Sequence, residues 1–293
     1  MKIKNNEEKK HFNIKKIIKG SIIFFVSIIA ILLYIRFIGT NGLIVKEYKI
    51  TNENFIEDFY GLKIVHLSDI HYNGTTNKQE LKKIVKKINL IKPDIVFFTG
   101  DLISDKTSKN EKKEMFKILK NIKANIGKYA IKGNHDKKIW DEFIKNTEFI
   151  DLNNNYDLIY NNNNSSIFIA GLNTNDNVKE EIANINNFLT ENKENQNKEN
   201  IIYKILILHE PDKILDINYN DFNLILAGHS HGGQIKLPLI GSIYTPKGSK
   251  IYYDEYYDLI STKLYISSGI GTSKIKLRLF NKPSFNFYRL YNK

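Results

Sequence analysis

The sequence predicts a layered α/β fold carried behind one N-terminal transmembrane helix, and three observations predict it. From residue 62 onward, short apolar runs alternate with amphipathic helical stretches. Of the 293 residues 42% are apolar, enough to build a sizeable core. Ahead of that core, Ile17 to Ile38 is a 22-residue stretch interrupted only by Lys19 and Arg36.

Residues 1–16 read as a basic tail and 17–38 as the membrane anchor. The longer apolar stretch spans roughly 33 Å as a helix, enough for a bilayer core if Lys19 and Arg36 snorkel to the two interfaces. A cleaved signal peptide is the competing reading, but FIGTNG (37–42) is a poor cleavage site, and Tyr34 and Arg36 look like an interfacial end; a buried core helix is the third. The Lys-rich flank predicts a single-pass protein of the cell membrane, with its N-terminus in the cytoplasm and the rest of the chain outside. Residues 39–60 read as a linker and first strand, and 61–293 as one folded unit.

Within that unit LKIVHLSD (62–69) reads as a buried strand, and NKQELKKIVKKINLIK (77–92) as a helix with Leu81, Ile84, Val85 and Ile88 on one face. DIVFFTGD (94–101) and KYAIKGNHD (128–136) are further strands, with a helix over 111–122 between them. Later elements are strands at 166–172, 201–211, 222–231, 263–269 and 284–291, and one helix over 178–189. Helices between strands imply crossover connections. ENKENQNKEN (191–200) reads as a polar surface loop or a frayed helix end.

The net charge of +12 raises nucleic acid or an anionic membrane as a partner. Residues 1–40 carry eight Lys/Arg against Glu7 and Glu8, which is +6 of that +12. Half of the excess therefore sits on the tail, and the lysines of KKIVKKI (82–88) read as a solvated helix face, so nucleic acid is disfavoured. Cysteine is absent, which excludes disulfides, a thiolate nucleophile and Cys-based metal sites.

Five segments share one pattern, an apolar strand ending in Asp, His or Asn. They are SDIHYN (Asp69, His71), TGD (Asp101), KGNHD (Asn134, His135, Asp136), LHEP (His209) and GHSHGG (His229, His231), and they hold five of the seven histidines. Strand ends in an open α/β sheet share one crevice, so these residues can meet. On an extended backbone Asp69 and His71, and likewise His229 and His231, point in one direction about 6 to 7 Å apart. That spacing suits two metal ions about 3.5 to 4 Å apart, each His reaching one of them. Carboxylate, imidazole and amide oxygen suit Mn, Fe or Zn.

DxH, GD, GNH(D/E), a lone His and GHxH, in that order over residues 62–234, resemble the calcineurin-like metallophosphoesterases. GHSHGGQIKLPLIG (228–241) and SSGIGTS (267–273) resemble a membrane-anchored bacterial branch of that family. The resemblance implies an α/β/β/α sandwich of two mixed sheets flanked by helices. It also implies two divalent ions, Asp69, His71 and His231 holding the first, Asn134, His209 and His229 the second, and Asp101 bridging both. A hydroxide between the ions would attack phosphorus in line, with His135 bonding the phosphate or protonating the leaving oxygen. One position departs from the pattern: Ser104 stands where the family usually has a second Asp, leaving Asp105 or Asp136 to orient His135.

Plainer roles stand beside these. His66, inside its strand, reads as a hydrogen-bonded structural residue, and the glycines of the five segments as turn residues. IYTPKGSKIYYDEYY (243–257) is either a rim that meets lipid head groups or an ordinary exposed strand and loop. The resulting expectation is a metal-dependent phosphoesterase acting on a membrane-surface or lipid-linked phosphoester. The alternatives are a phosphodiesterase or nuclease on soluble nucleotides or nucleic acid, and a non-catalytic, metal-stabilised binding module.

Overall fold

The computed structural model describes residues 2–53, 59–104, 107–161, 164–173, 177–194, 199–273 and 275–292. Helix α1 (Lys2–Leu33) widens into a π turn over Tyr34–Ile38. Its segment Ile14–Ile38 is long and apolar enough to cross a membrane, the one such helix among the described residues. Apart from the buried Ile35, its large apolar side chains are exposed, which sets aside a core helix.

The chain then alternates: β1 (Ile44–Thr51), β2 (Lys63–Leu67), α2 (Lys78–Ile91), β3 (Ile95–Phe98), α3 (Lys109–Lys120), β4 (Gly127–Ala130), α4 (Trp140–Thr147), β5 (Ile150–Asp151) and β6 (Asn155–Tyr160). It continues through β7 (Ser165–Leu172), α5 (Val178–Glu181), α6 (Ala183–Glu194), β8 (Asn200–Leu208) and β9 (Leu224–Ala227). The hairpin β10 (Lys236–Leu237) and β11 (Gly241–Ser242), then β12 (Tyr256–Asp258), β13 (Lys263–Ile266) and β14 (Ser284–Tyr291) complete it.

Two six-stranded mixed sheets result, ordered β1-β14-β2-β3-β4-β5 and β12-β13-β9-β8-β7-β6. Strands β2 to β5 run parallel, β14 enters antiparallel to β2, and β1 pairs only with β14 in that sheet. In the other sheet β13, β9, β8 and β7 are parallel, with β12 and β6 antiparallel at the edges.

Period-two alternation explains the layering. Ile95 and Phe97 of β3 join Ile205 and Ile207 of β8 in a core between the sheets. Val96 and Phe98 turn outward onto α2, α3 and α4. Leu206 and Leu208 turn outward under α5 and α6. The α/β/β/α sandwich is thus set by which neighbour each alternate side chain meets.

Helices α2 and α3 begin where capping boxes predict. Asn77 accepts from Glu80 N while the Glu80 side chain accepts from Asn77 N, and Ser108 and Glu111 do the same for α3. Beyond the short strands β5, β6 and β10 to β12, which were not expected, two helices differ from expectation. The helix over 178–189 is broken at Ile182, although Val178, Ile182, Ile185 and Leu189 all remain buried. Helix α4 was not expected: it has eight residues and Ile139 at its N-cap, with no capping side chain to mark its start.

Candidate metal centre

Strands β2, β3, β4, β8 and β9 release their chains on one edge of the sandwich, and each carries a site residue just beyond its last ladder position. The residues are not extended there. Asp69, His71, Asp101, His229 and His231 all have positive φ, between 42° and 66°. This corrects the expectation that period-two strand geometry aims Asp69 with His71 and His229 with His231. Left-handed turns do the aiming, at a backbone strain that surrounding contacts must hold in place.

Those contacts are visible. The fully buried Asp136 carboxylate accepts from Asp101 N (2.7 Å), Leu102 N (2.8 Å) and Gly133 N (2.9 Å). His135 N donates to Asp101 Oδ1 at 3.0 Å. A Cβ on Gly133 would collide with that same carboxylate oxygen, so glycine is needed for the close approach rather than for the turn alone. His229 N donates to Asp69 Oδ2 at 3.0 Å.

The side chains form two triads, one of Asp69, His71 and His231 and one of Asp101, His209 and His229, each with ligand atoms within 4.8 Å of one another. In the first, His231 Nε2 lies 3.3 Å from Asp69 Oδ1 and 3.1 Å from His71 Nε2. In the second, His209 Nε2 lies 3.1 Å from His229 Nδ1 and 3.2 Å from Asn134 Oδ1. Asp101 Oδ2 stands between them, 3.5 Å from His71 Nε2 and 3.5 Å from His209 Nε2. His135 Nε2 approaches the same oxygen at 3.9 Å. All seven residues expected as metal ligands are therefore brought together, with His135 beside them.

Ser104 Oγ donates to His71 O at 3.1 Å, so the residue at the departing position braces the turn. Asp105, expected to orient His135, lies outside the described residues. The other candidate, Asp136, directs its oxygens to the three backbone donors above and serves the loops that carry Asp101 and Gly133. His66 sits inside β2, bonded to Thr99 Oγ1 at 2.9 Å.

Burial dominates the electrostatics. It pushes the Asp69 carboxyl up to about 6 and the His71 imidazole down to about 4, and it holds His231 well below its usual range. His229 falls to about 4 through burial and the neighbouring His209. Burial opposes the ionised forms of Asp101 and His209 too, but the pair overcomes it: His209, with His71 and His135, holds Asp101 below the carboxylate range, and Asp101 lifts His209 to about 10. His71, His229 and His231 are thereby kept neutral beside the carboxylates, and neutral imidazole with carboxylate is a set that accepts cations. Asp69 Oδ1 is buried without a hydrogen-bond partner and faces the first triad's imidazoles, so the donors present fit divalent metal ions.

One residue behind the site had not been singled out. Arg278 is fully buried, and its Nη2 donates to Ser268 O (2.8 Å), Gly269 O (3.0 Å) and Gly271 O (2.5 Å). The same loop returns backbone donors to the first triad's turn, Ile270 N to Ser68 O and Gly271 N to Asp69 O. Arg278 is one of only three arginines in a chain otherwise served by lysine, and that rarity was the available signal. A planar fork whose two terminal nitrogens reach four carbonyls, those of Ser268, Gly269, Gly271 and Asn281, is what lysine cannot supply.

A family model described as calcineurin-like phosphoesterase matches residues 62–233. The metallophosphoesterase YkuE of Bacillus subtilis is 30% identical over 266 residues, covering 88% of each chain. A Danio rerio transmembrane protein with a metallophosphoesterase domain is 25% identical over 259 residues, 81% of this chain and 55% of that protein. A shorter match, 42% identical over 78 residues, covers 26% of this chain and 23% of the Chlamydia trachomatis UDP-2,3-diacylglucosamine pyrophosphatase LpxG.

Proposed function

The chain belongs to the calcineurin-like phosphoesterases and is a metal-dependent phosphoric ester hydrolase, and from that premise we propose a membrane-anchored enzyme with a dinuclear site that acts on phosphoesters at the bilayer surface. The observation that carries the dinuclear reading is Asp101 Oδ2, equidistant at 3.5 Å from an imidazole of each triad. Asp69, His71 and His231 would hold one ion, Asn134, His209 and His229 the other, with Asp101 shared. Two divalent ions in this place supply Lewis-acid polarisation of the phosphoryl oxygens and a water of lowered pKa.

The chain's own residues then have separable tasks. His209 Nε2 and His229 Nδ1 face each other across the place a ligand would take, because backbone carbonyls hold the outward nitrogens, Thr99 O at 2.6 Å and Lys247 O at 2.7 Å. His135, only partly buried, is the group able to donate a proton to the phosphate or the leaving oxygen. Asp136 positions Asp101 through its backbone.

Ile14–Ile38 supports an anchor, and the lysines before it support a cytoplasmic N-terminus with the hydrolase outside. A lipid-linked substrate is supported by the partial likeness to LpxG.

The test is metal analysis of the detergent-purified chain with hydrolysis of a chromogenic phosphodiester, followed by a screen of lipid and nucleotide phosphoesters. Metal-dependent turnover that Asp101→Ala and His229→Ala abolish is expected, with lipid phosphoesters preferred. A metal-free, inactive protein would sink the enzyme reading, and faster hydrolysis of soluble nucleotides would sink the membrane-surface substrate.

A further inference from the structure

The outer end of the membrane helix is fastened to the hydrolase at one point. Arg278 N donates to Ile35 O at 3.1 Å, and a Cβ on Gly39 would collide with Arg278 O. Ile35 lies three residues inside the end of the apolar segment Ile14–Ile38. At about 1.5 Å per residue that is within roughly 5 Å of the segment's end. If this helix crosses the bilayer, the backbone at Arg278 is at the depth of the membrane interface.

What surrounds Arg278 suits that depth. Gln234 Nε2 donates to Ile275 O at 2.9 Å and Leu277 O at 3.2 Å. Lys236 N donates to Leu279 O, so the β10–β11 hairpin and the 275–280 loop form one hydrogen-bonded platform. That platform presents large apolar side chains to solvent: Leu239 at the hairpin tip is fully exposed, and Ile240, Ile243, Ile275 and Phe280 are each more than half exposed.

Leu239 and Phe280 are moreover held at φ of 67° and 52°, a conformation bulky side chains rarely adopt. Lys276 and Lys282 are exposed beside them, and Arg36 is at the helix end. Grouped apolar side chains rimmed by basic ones mark a surface built for something other than water.

We propose that the β10–β11 hairpin tip and the 275–280 loop insert into the head-group region of the bilayer, forming a second membrane contact beside the helix. Its occupant is lipid, because the platform is continuous with the helix end. The geometry has a direct consequence for the site, since the hairpin follows His231 within five residues and the loop's Arg278 fixes the turn of Asp69. The proposal rests on reading α1 as an anchor and is independent of which phosphoester is cleaved.

The chain has no cysteine, so single cysteines report cleanly. Leu239→Cys and Phe280→Cys, each in the full chain, would carry an environment-sensitive fluorophore in phosphatidylcholine vesicles containing phosphatidylglycerol, with spin-labelled lipids as quenchers. Ile260→Cys is the reference: Ile260 is also fully exposed with positive φ, but it precedes β13, whose far end adjoins the site. Ile29→Cys reports the helix itself.

Lipid quenching several-fold stronger at positions 239 and 280 than at 260 is expected. Quenching at Ile29 with none above the Ile260 level at 239 and 280 overturns the proposal and leaves the anchor standing, whereas no quenching at Ile29 removes the anchor and the proposal with it. Shielding of both loop labels from aqueous iodide without lipid quenching means a protein partner and overturns it as well. Ile240→Cys and Ile275→Cys repeat the measurement should either first variant lose its native melting transition.

Discussion

The two triads are built from the same residue types but held in different ways. In the second, backbone carbonyls fix the imidazoles from behind: Thr99 O holds His209, and Lys247 O holds His229. In the first, His71 and His231 stack with ring centroids 5.0 Å apart, and His231 Nδ1 is buried with no hydrogen-bond partner. Its orientation comes from packing, with Gly269 pressed against it and Asn281 Nδ2 gripping its carbonyl at 2.5 Å. One triad is braced by the carbonyls of Thr99 and Lys247, the other by a loop that Arg278 organises. The second should therefore be the more rigid and the first the more adjustable.

The largest effect should come from the residue that belongs to neither. His135→Ala is expected to lower kcat by roughly 10²- to 10⁴-fold, the range for loss of a general acid. Elemental analysis should show metal content unchanged; loss of metal would instead make His135 a ligand and break the two-triad division.

Arg278→Met removes the donors to four carbonyls, all beneath the first triad. Its metal affinity should fall about 10- to 100-fold while the second triad keeps its ion, as titration with a competing chelator would show. Equal weakening of both would mean that they are one mechanical unit.

Complete removal of metal should lower stability by about 2.7 kcal/mol relative to metal at about 100 times its Kd, read as a drop in melting temperature. The drop should shrink in Arg278→Met.

A pH effect separates the triads from the core behind them. Burial holds His66 down at about 3 against an ordinary 6.5, so the folded protein refuses a proton that the unfolded chain accepts. The stability this contributes is fully present above about pH 6.5 and is lost as pH falls toward 3, by up to about 1.4 kcal/mol per pH unit. Urea unfolding of chelated His66→Gln should show a shallower decline between pH 6 and 4. An unchanged slope would assign the pH dependence to His71, His229 and His231.

What the residues disclosed in advance was chemistry placed at strand ends, because apolar runs followed by Asp, His and Gly are visible without coordinates. How those residues aim was not visible. The spacing of GHSHGGQ suggested an extended pair, whereas His229 and His231 are in left-handed turns that serve different triads. Supporting residues were also hidden, since Asp136 acts on backbone amides and Arg278 on carbonyls, partners that carry no sequence signature. Helix α4 escaped for a related reason: its hydrogen bonds are ordinary, but no side chain caps it.

The placement of β14 between β1 and β2 bears on biogenesis. Strand β1, ending at residue 51, finds its in-sheet partner in a strand that begins at residue 284. Such long-range pairing is slow to form and requires almost the whole chain to have been synthesised. Until then this sheet is open at β2 and β1 has no partner in it. The two ends of the hydrolase unit are thus joined only when synthesis nears its end, and shortening β14 should unfold β1 as well.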